Sequence, residues 1–311
     1  MSHMITVLGH KVPDTDAITS ALVYSYLLNK TGQEAQAVAL GECNKETLFV
    51  LQQAGFAVPE IVASLPEGSI IALTDHNELG QSIDHREHYT IHSVIDHHKV
   101  ANFETGYPLM MRLEPLASTN SILYKMYKEA GVEITSQIAT LMLGGILSDT
   151  LHFRSPTTTA FDKKIVDELA SLAGVDDIEG FALQMFAAKS DLGDISAYDL
   201  IKKVDAKDFT FGSQKSLIAC IETTNPNYCL NRKEEIIETI RTIKASESYD
   251  FIVFCVIDIL NETNTTIVAD EIEADIVKKV FGADTVDGLA DLGNRISRKK
   301  TIVPPMEEAL S

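Results

Sequence analysis

The 311-residue sequence has no tryptophan, only four cysteines, and 26 basic against 45 acidic residues. Cys43, Cys220, Cys229 and Cys255 form no C-x-x-C pair, and Cys255 lies inside the apolar run 251–257. The thiols therefore read as free, mostly buried and kept in a reducing compartment. A formal net charge of −19 without a broad basic face argues against a polynucleotide partner, and a small metal-chelated anion fits better. No apolar stretch reaches the roughly 18 residues of a membrane span. A strand begins almost at the N-terminus, so a cytoplasmic protein without a membrane partner is expected. Ser2-His3-Met4 ahead of that strand is open to being a cloning remnant. Internal repeats and low-complexity tracts are missing too. What remains, 45% hydrophobic and 23% charged residues, suffices for two cores of roughly 150 residues each.

The residues with chemistry recur at the ends of apolar runs. Asp96-His97-His98 follows Ser93-Val94-Ile95, the segment Gly9 to Asp16 (GHKVPDTD) follows Ile5 to Leu8, and Thr74-Asp75-His76-Asn77-Glu78 follows Ile70 to Leu73. Ser148-Asp149-Thr150 closes a fourth apolar segment. Neutral imidazole and carboxylate together suit divalent ions, and carboxylate-rich sets lean toward manganese and magnesium. If the runs are buried parallel strands, the acids emerge at one sheet edge, where open α/β sheets bind ligands. The pattern points to a metal-assisted phosphate enzyme. A lone Asp at a strand end is otherwise a cap or turn residue, so Asp14 and Asp16 each carry that alternative.

Short β-rich runs alternate with helical patterns through the first two thirds, which predicts βαβ units and a mainly parallel sheet flanked by helices. Strands are expected at 4–9, 35–40, 69–74, 91–95 and 107–113. Helices are expected from Asp16 through Leu28, with the N-terminus toward the metal site, and at 119–130, 135–147, 157–173 and 178–188. Gly144-Gly145 lies in an apolar helix and matches no phosphate loop, so close packing is preferred. The polar stretch 189–195 carries Gly193 and reads as a linker between a domain at 1–188 and a smaller α/β domain at 196–311. There, 209–211, 216–221, 251–257 and 265–269 read as strands and 231–247 as a helix. This second domain holds Arg295-Ile296-Ser297-Arg298-Lys299-Lys300, four cations in six residues. Arg offers a planar fork for phosphate oxygens and Lys a mobile charge, and Lys207 adds a third candidate. Taken alone, such a cluster is also compatible with a solvated charge run.

Together and in this order, GHKVPDTD, TDHNE, DHH, SDT and SRKK resemble the family II inorganic pyrophosphatases, the manganese- or cobalt-activated DHH phosphoesterases with a DHHA2 C-terminal domain. Each motif is weak by itself, but five in register cover nearly the whole chain. The resemblance implies that His10, Asp14, Asp16, Asp75, His97 and Asp149 ligate two ions per subunit, Asp75 and Asp149 being shared. It implies that His98, Lys207, Arg298 and Lys299 contact substrate phosphates, with magnesium carried in by the substrate. Pyrophosphate hydrolysis by a metal-bridging hydroxide is the expected reaction, at an active site between the domains, in a homodimer joined through the N-terminal domains. His76 and Asp96 are the side chains expected to support the ligating imidazoles. His85, His88, His92 and His152 match no ligand position and read as surface or hydrogen-bonding residues. The segment Glu114 to Ser121 departs from the family's usual Gly-Cys-Thr-Ala at Ala117 and Asn120, a change expected to leave the chemistry intact and touch only the fine shape of that loop and its helix N-terminus. Two alternatives stand beside this reading. One is a DHH phosphoesterase acting on short oligonucleotides, nucleoside bisphosphate or polyphosphate, which would want a glycine-rich C-terminal motif and base-stacking aromatics. The other is an inactive metal- or phosphate-sensing module.

Overall fold

A computed structural model describes residues 4–310, so Ser2 and His3 lie outside the described residues. The chain divides into two compact units that meet at Lys189 and Ser190. The first contains β1 (Ile5–Leu8), α1 (Thr15–Lys30), β2 (Ala35–Ala39), α2 (Lys45–Ala54), β3 (Glu60–Ile61), β4 (Ile70–Thr74), β5 (Thr90–Asp96) and β6 (Met110–Leu113). Four helices follow, α3 (Thr119–Ala130), α4 (Ser136–Thr150), α5 (Ala160–Ala173) and α6 (Ile178–Ser190). The strands form one sheet in the order β3-β2-β1-β4-β5-β6, parallel at every pairing. In such a sheet all strand C-termini share one edge, and the order reverses between β1 and β4. That switch point opens the crevice in which open α/β sheets hold their ligands. Leu8, Val38, Ile71, Leu73, Ile91 and Val94 build the apolar core on one face, while α1 packs against α3 and α4.

The element boundaries follow local chemistry. Asn44 and Ser118 cap α2 and α3 through their side chains, and Gly55 and Gly131 end those helices in the left-handed conformation that glycine adopts without penalty. The predicted helix 135–147 ends too early: α4 continues through Ser148-Asp149 to Thr150, where Leu151 closes it. Asp149 therefore arrives on the last turn of a helix and not from a strand end. Helix α2 goes unread in the sequence because Leu48-Phe49-Val50-Leu51 is a solid apolar block without clear helical spacing.

The second unit contains α7 (Ala197–Lys202), β7 (Ala206–Phe211), β8 (Gln214–Thr223), α8 (Asn227–Leu230), α9 (Lys233–Glu247), β9 (Phe251–Asp258), β10 (Thr263–Ile267), α10 (Glu271–Phe281), β11 (Thr285–Val286), β12 (Leu289–Asp291) and α11 (Val303–Leu310). Its sheet, in the order β11-β12-β10-β9-β8-β7, is mixed: β8 and β9 run parallel and the other pairings are antiparallel. Two apolar layers cover its faces. One gathers Leu200, Ile236, Ile240 and Phe254, the other Ile218, Phe251, Val277 and Met306. Helices α7, α8, α10 and α11 and strands β11 and β12 are not among the elements expected from the sequence. Cys220 and Cys255 are register partners on β8 and β9, free and buried. No helix among the described residues is long and apolar enough to cross a membrane.

Candidate metal centre

The loops after β1, β4 and β5 and the end of α4 converge at the switch point. Gly9 makes the first loop possible, because a β-carbon there would lie 2.5 Å from the Ala17 carbonyl oxygen of α1. Asp14 caps α1, its Oδ1 accepting from the Ala17 amide at 3.0 Å, so the capping role and the site position coincide. Asp75 sits just past β4 with φ +61°, a left-handed conformation that Asp tolerates better than most residues. Its amide still donates to the Ile95 carbonyl at 2.9 Å, so the strand ladder aims the side chain into the crevice. Leu151, His152 and Phe153 have φ of +46°, +49° and +69° immediately after Asp149. Each such residue costs on the order of 1 kcal/mol.

Three overlapping donor sets result, each with its ligand atoms within 4.8 Å of one another: His10, Asp14 and Asp75; Asp16, Asp75, His97 and Asp149; and Asp75, His97 and His98. Asp75 belongs to all three and is almost fully buried. Asp149 falls in the second set alone. His10 Nε2 lies 3.5 Å from both Asp14 Oδ2 and Asp75 Oδ2, and His97 Nε2 lies 3.3 Å from Asp75 Oδ1 and 3.5 Å from Asp149 Oδ2. These separations are long for charge-assisted hydrogen bonds, which run about 2.7–2.9 Å. They match donors about 2.1 Å from a shared divalent ion, which sit roughly 3.0–3.5 Å apart between octahedral and tetrahedral angles. His97 Nε2 is buried and has no hydrogen-bond partner among the described residues. An orphaned imidazole nitrogen facing carboxylates is what a metal ligand looks like before its ion is counted, so the donor set fits a divalent metal.

Protons report the same excess of negative charge. Burial works against protonation of His10, but Asp14 and Asp75 overcome it and push its pKa up to about 11. His97 rises to about 9 in the same way, burial opposing and Asp75 and Asp16 prevailing. Burial, then the neighbouring Asp75, raises Asp16 to about 7, and burial with Asp16, Asp75 and Asp14 lifts Asp149 well above the usual carboxylate range. For Asp75, burial is outweighed by the two facing imidazoles of His10 and His97, which hold it far below that range. Four crowded carboxylates thus demand positive charge.

The supports of the imidazoles differ from those expected. His10 Nδ1 pairs with the Lys11 carbonyl at 2.8 Å and His97 Nδ1 with the Leu116 carbonyl at 3.0 Å, so backbone oxygens orient both rings and leave Nε2 for an ion. Asp96 instead serves His98, accepting from its amide at 3.0 Å and pairing with its Nδ1 at 2.9 Å, while Asn77 Nδ2 donates to the other oxygen at 2.6 Å. His98, half exposed, is raised in pKa by Asp96 above all. His76 is buried, and its two ring nitrogens pair with the Thr74 carbonyl and Ser82 Oγ and not with a ligand imidazole. His85 and His88 are exposed and stack on each other. His92 meets Ser93 and His152 meets Arg154.

Sequence reasoning also misses the role of the α3 N-terminus. Asp16 Oδ1 accepts from Ser118 Oγ at 2.6 Å and Asn120 Nδ2 at 2.6 Å, and Asp16 Oδ2 from the Thr119 amide at 2.7 Å. Thr119 Oγ1 donates to Asp75 Oδ1 at 3.0 Å. The change at Asn120 therefore touches a candidate ligand directly, which corrects the expectation that it alters only the shape of the loop and its helix N-terminus. Ala117 contributes only its amide, to the buried Asp162. Gly145 is explained here as well: a β-carbon would lie 2.3 Å from Asn120 Nδ2 and 2.8 Å from Asp16 Oδ1, whereas at Gly144 it would meet Val50.

In the second unit Arg298 is mostly buried. Its Nη2 donates to Asp205 Oδ1 at 2.6 Å and its Nη1 to the Asp205 carbonyl at 3.0 Å. It opens a wide helical turn, the Ile302 amide reaching back to the Ser297 carbonyl, which leads into α11. Lys207 on β7 and Lys299 are exposed.

Comparison with known proteins agrees with this architecture. Residues 4–146 match the family model of the DHH family N-terminal domain, and residues 183–309 that of the DHHA2 domain. A Deinococcus radiodurans protein named probable manganese-dependent inorganic pyrophosphatase is 48% identical over 309 residues, 98% of each chain. A Bacillus licheniformis protein of the same name is 43% identical over 307 residues, again 98% of each chain. A Methanococcus jannaschii crystal structure assigned to the family II inorganic pyrophosphatases is 34% identical with a TM-score of 0.62, covering 99% of both chains. With both domain types present in order and full-length relatives above 40% identity, the chain belongs to the family II inorganic pyrophosphatases, DHH proteins that carry a DHHA2 domain.

Proposed function

We propose that this chain hydrolyses inorganic pyrophosphate to two orthophosphates in a manganese-dependent reaction. One observation carries the reading: the three donor sets sharing Asp75, in a chain of this family. His10, Asp14, Asp16, Asp75, His97 and Asp149 would hold two divalent ions per subunit. When bound, such ions supply an activated water and positive charge for the phosphoryl group. The protein's own part is to fix the donors. Backbone carbonyls orient His10 and His97, the α3 N-terminus holds Asp16, and the strand ladder holds Asp75. His98, oriented by Asp96, which also raises its pKa, can donate a hydrogen bond to a phosphate oxygen. Lys207, Arg298 and Lys299 are the further phosphate contacts in this reading, Arg298 through the fork that Asp205 now orients.

The same reading takes magnesium as the ion accompanying the substrate, cobalt as an alternative to manganese, 189–195 as the linker between the domains 1–188 and 196–311, and a cytoplasmic homodimer built through the N-terminal domains. Phosphate release with manganese is the test. Rapid release from pyrophosphate, with slow or no cleavage of short oligonucleotides, nucleoside bisphosphates and polyphosphate, supports it. The opposite order would replace the substrate, and manganese binding without any hydrolysis would leave a sensor.

A further inference from the structure

Glu46 has no exposed surface, and nothing in the sequence singles it out. It occupies the second position of α2, in the first turn, where the helix dipole favours an anion. Burying a carboxylate is costly unless it is paired and hydrogen-bonded, and here a single oxygen carries all the pairing. Glu46 Oε2 accepts from Thr15 Oγ1 at 2.9 Å and from Ser148 Oγ at 2.9 Å, with Lys189 Nζ at 3.2 Å. The other oxygen, Oε1, is buried without a hydrogen-bond partner. Thr15 stands between Asp14 and Asp16 at the start of α1, and Ser148 precedes Asp149 at the end of α4.

We propose that Glu46 is a positioning residue of the metal centre: through Thr15 and Ser148 it sets the spacing between Asp14 and Asp16 on one helix and Asp149 on another, with Lys189 as its counter-charge. The inference rests on the reading of those acids as metal ligands. A carboxylate is the suitable group because three donors converge on it. In Glu46→Gln one orientation puts an amide N–H₂ where Oε1 lies, with no acceptor, and the other turns donors toward the Thr15 and Ser148 hydroxyls and the Lys189 ammonium. The ordinary alternative is that Glu46 only ties four helices together, its own α2 with α1, α4 and α6. In that case its loss lowers stability without altering how the site holds an ion.

The decisive variants are Ser148→Ala, Ser148→Thr, Glu46→Gln and Lys189→Met. Each is followed by melting of the metal-free protein, manganese affinity by calorimetry, and pyrophosphate hydrolysis at saturating manganese. Ser148→Ala and Glu46→Gln are expected to bind manganese about ten- to a hundredfold more weakly, the usual loss when a ligand's support is removed. Turnover should fall while the Michaelis constant for pyrophosphate stays near wild type, and Ser148→Thr, which keeps the hydroxyl, should recover most of the affinity. Lys189→Met should shift affinity in the same direction by less. If Glu46→Gln fails to fold, Ser148→Ala decides. Manganese affinity and turnover of Ser148→Ala within twofold of wild type would overturn the proposal, whatever happens to melting. If Asp75→Asn loses manganese while Ser148→Ala does not, only the role of Glu46 fails. A wild-type protein that binds no manganese removes the reading beneath it.

Discussion

Both units of the chain carry six-stranded sheets, yet among the described residues only the first gathers groups of side chains able to hold a metal ion. The difference lies in strand direction. Parallel pairing brings the C-terminal ends of β1, β4 and β5 to one edge, so three loops far apart in sequence deliver His10, Asp14, Asp75, His97 and His98 to the same crevice. In the mixed sheet the antiparallel neighbours alternate their ends, and the proposed phosphate contacts of that unit lie mainly in one continuous segment after β12, Arg295 to Lys300. A site that must surround an ion needs several chain segments. A cationic grip on phosphate oxygens can be supplied by a few adjacent residues.

The sharpest way to break this contrast is Asp75→Asn. Asn accepts the left-handed backbone at that position, so the fold should persist. Because Asp75 belongs to every donor set, hydrolysis should fall about a thousandfold or more, comparable with removing a central transition-state stabiliser. Elemental analysis and steady-state kinetics check this; two tightly held ions and ordinary turnover in the variant would refute the shared role. Asp149→Asn, in one set only, should cost less, and an equal loss would favour the expectation that both residues are shared.

Chelation should separate the two units by stability. An ion at a hundred times its dissociation constant stabilises the folded state by about 2.7 kcal/mol. Hydrogen exchange should therefore speed up around α1, the β4 and β5 ends and α4 when manganese is stripped, with β8 and β9 unchanged. Equal loosening of both sheets would erase the distinction between a metal unit and a cationic unit.

Arg298→Ala should raise the Michaelis constant and lower turnover, by about ten- to a hundredfold in kcat/KM, the equivalent of one charge-assisted hydrogen bond. Metal content should stay that of wild type. Arg298→Lys should restore only part, because the ammonium cannot reproduce the two-pronged contact now made with Asp205. Wild-type kinetics in Arg298→Ala would remove the cationic segment from the reaction.

The smallest effect is expected at Asn120→Ala, which removes one hydrogen bond to Asp16 and leaves those from Ser118 and Thr119. Manganese affinity should drop by roughly fivefold, about 1 kcal/mol. A larger loss would mean that the α3 N-terminus holds Asp16 as one unit.

Much of the first unit is legible in the amino-acid sequence. Apolar runs ending in acids mark β1, β4 and β5 because a doubly covered parallel strand must be apolar on both faces. Helix α3 is legible to the residue, since Ser118 and Gly131 are strong start and stop signals. Helix α10, amphipathic and ended by Gly282, carries similar signals that the expected elements leave out. The end of α4 misleads because Ser148-Asp149-Thr150 looks like a stop, whereas Ser148 and Thr150 are buried and Asp149 nearly so in the folded unit. The acceptors of the imidazoles are unreadable, because they are backbone carbonyls and any residue has one.

The sequence by itself determined the donor types, their order along the chain and the strand ends that carry most of them, because polarity and periodicity are local properties. Only the tertiary structure decided which atoms meet. Asp149 joins Asp16, and Glu46 reaches Thr15 and Ser148, because α1, α2 and α4 dock against one another. That docking is set by packing among residues more than a hundred positions apart, such as 16 and 120 or 46 and 148, where no local pattern can specify a distance of 3 Å.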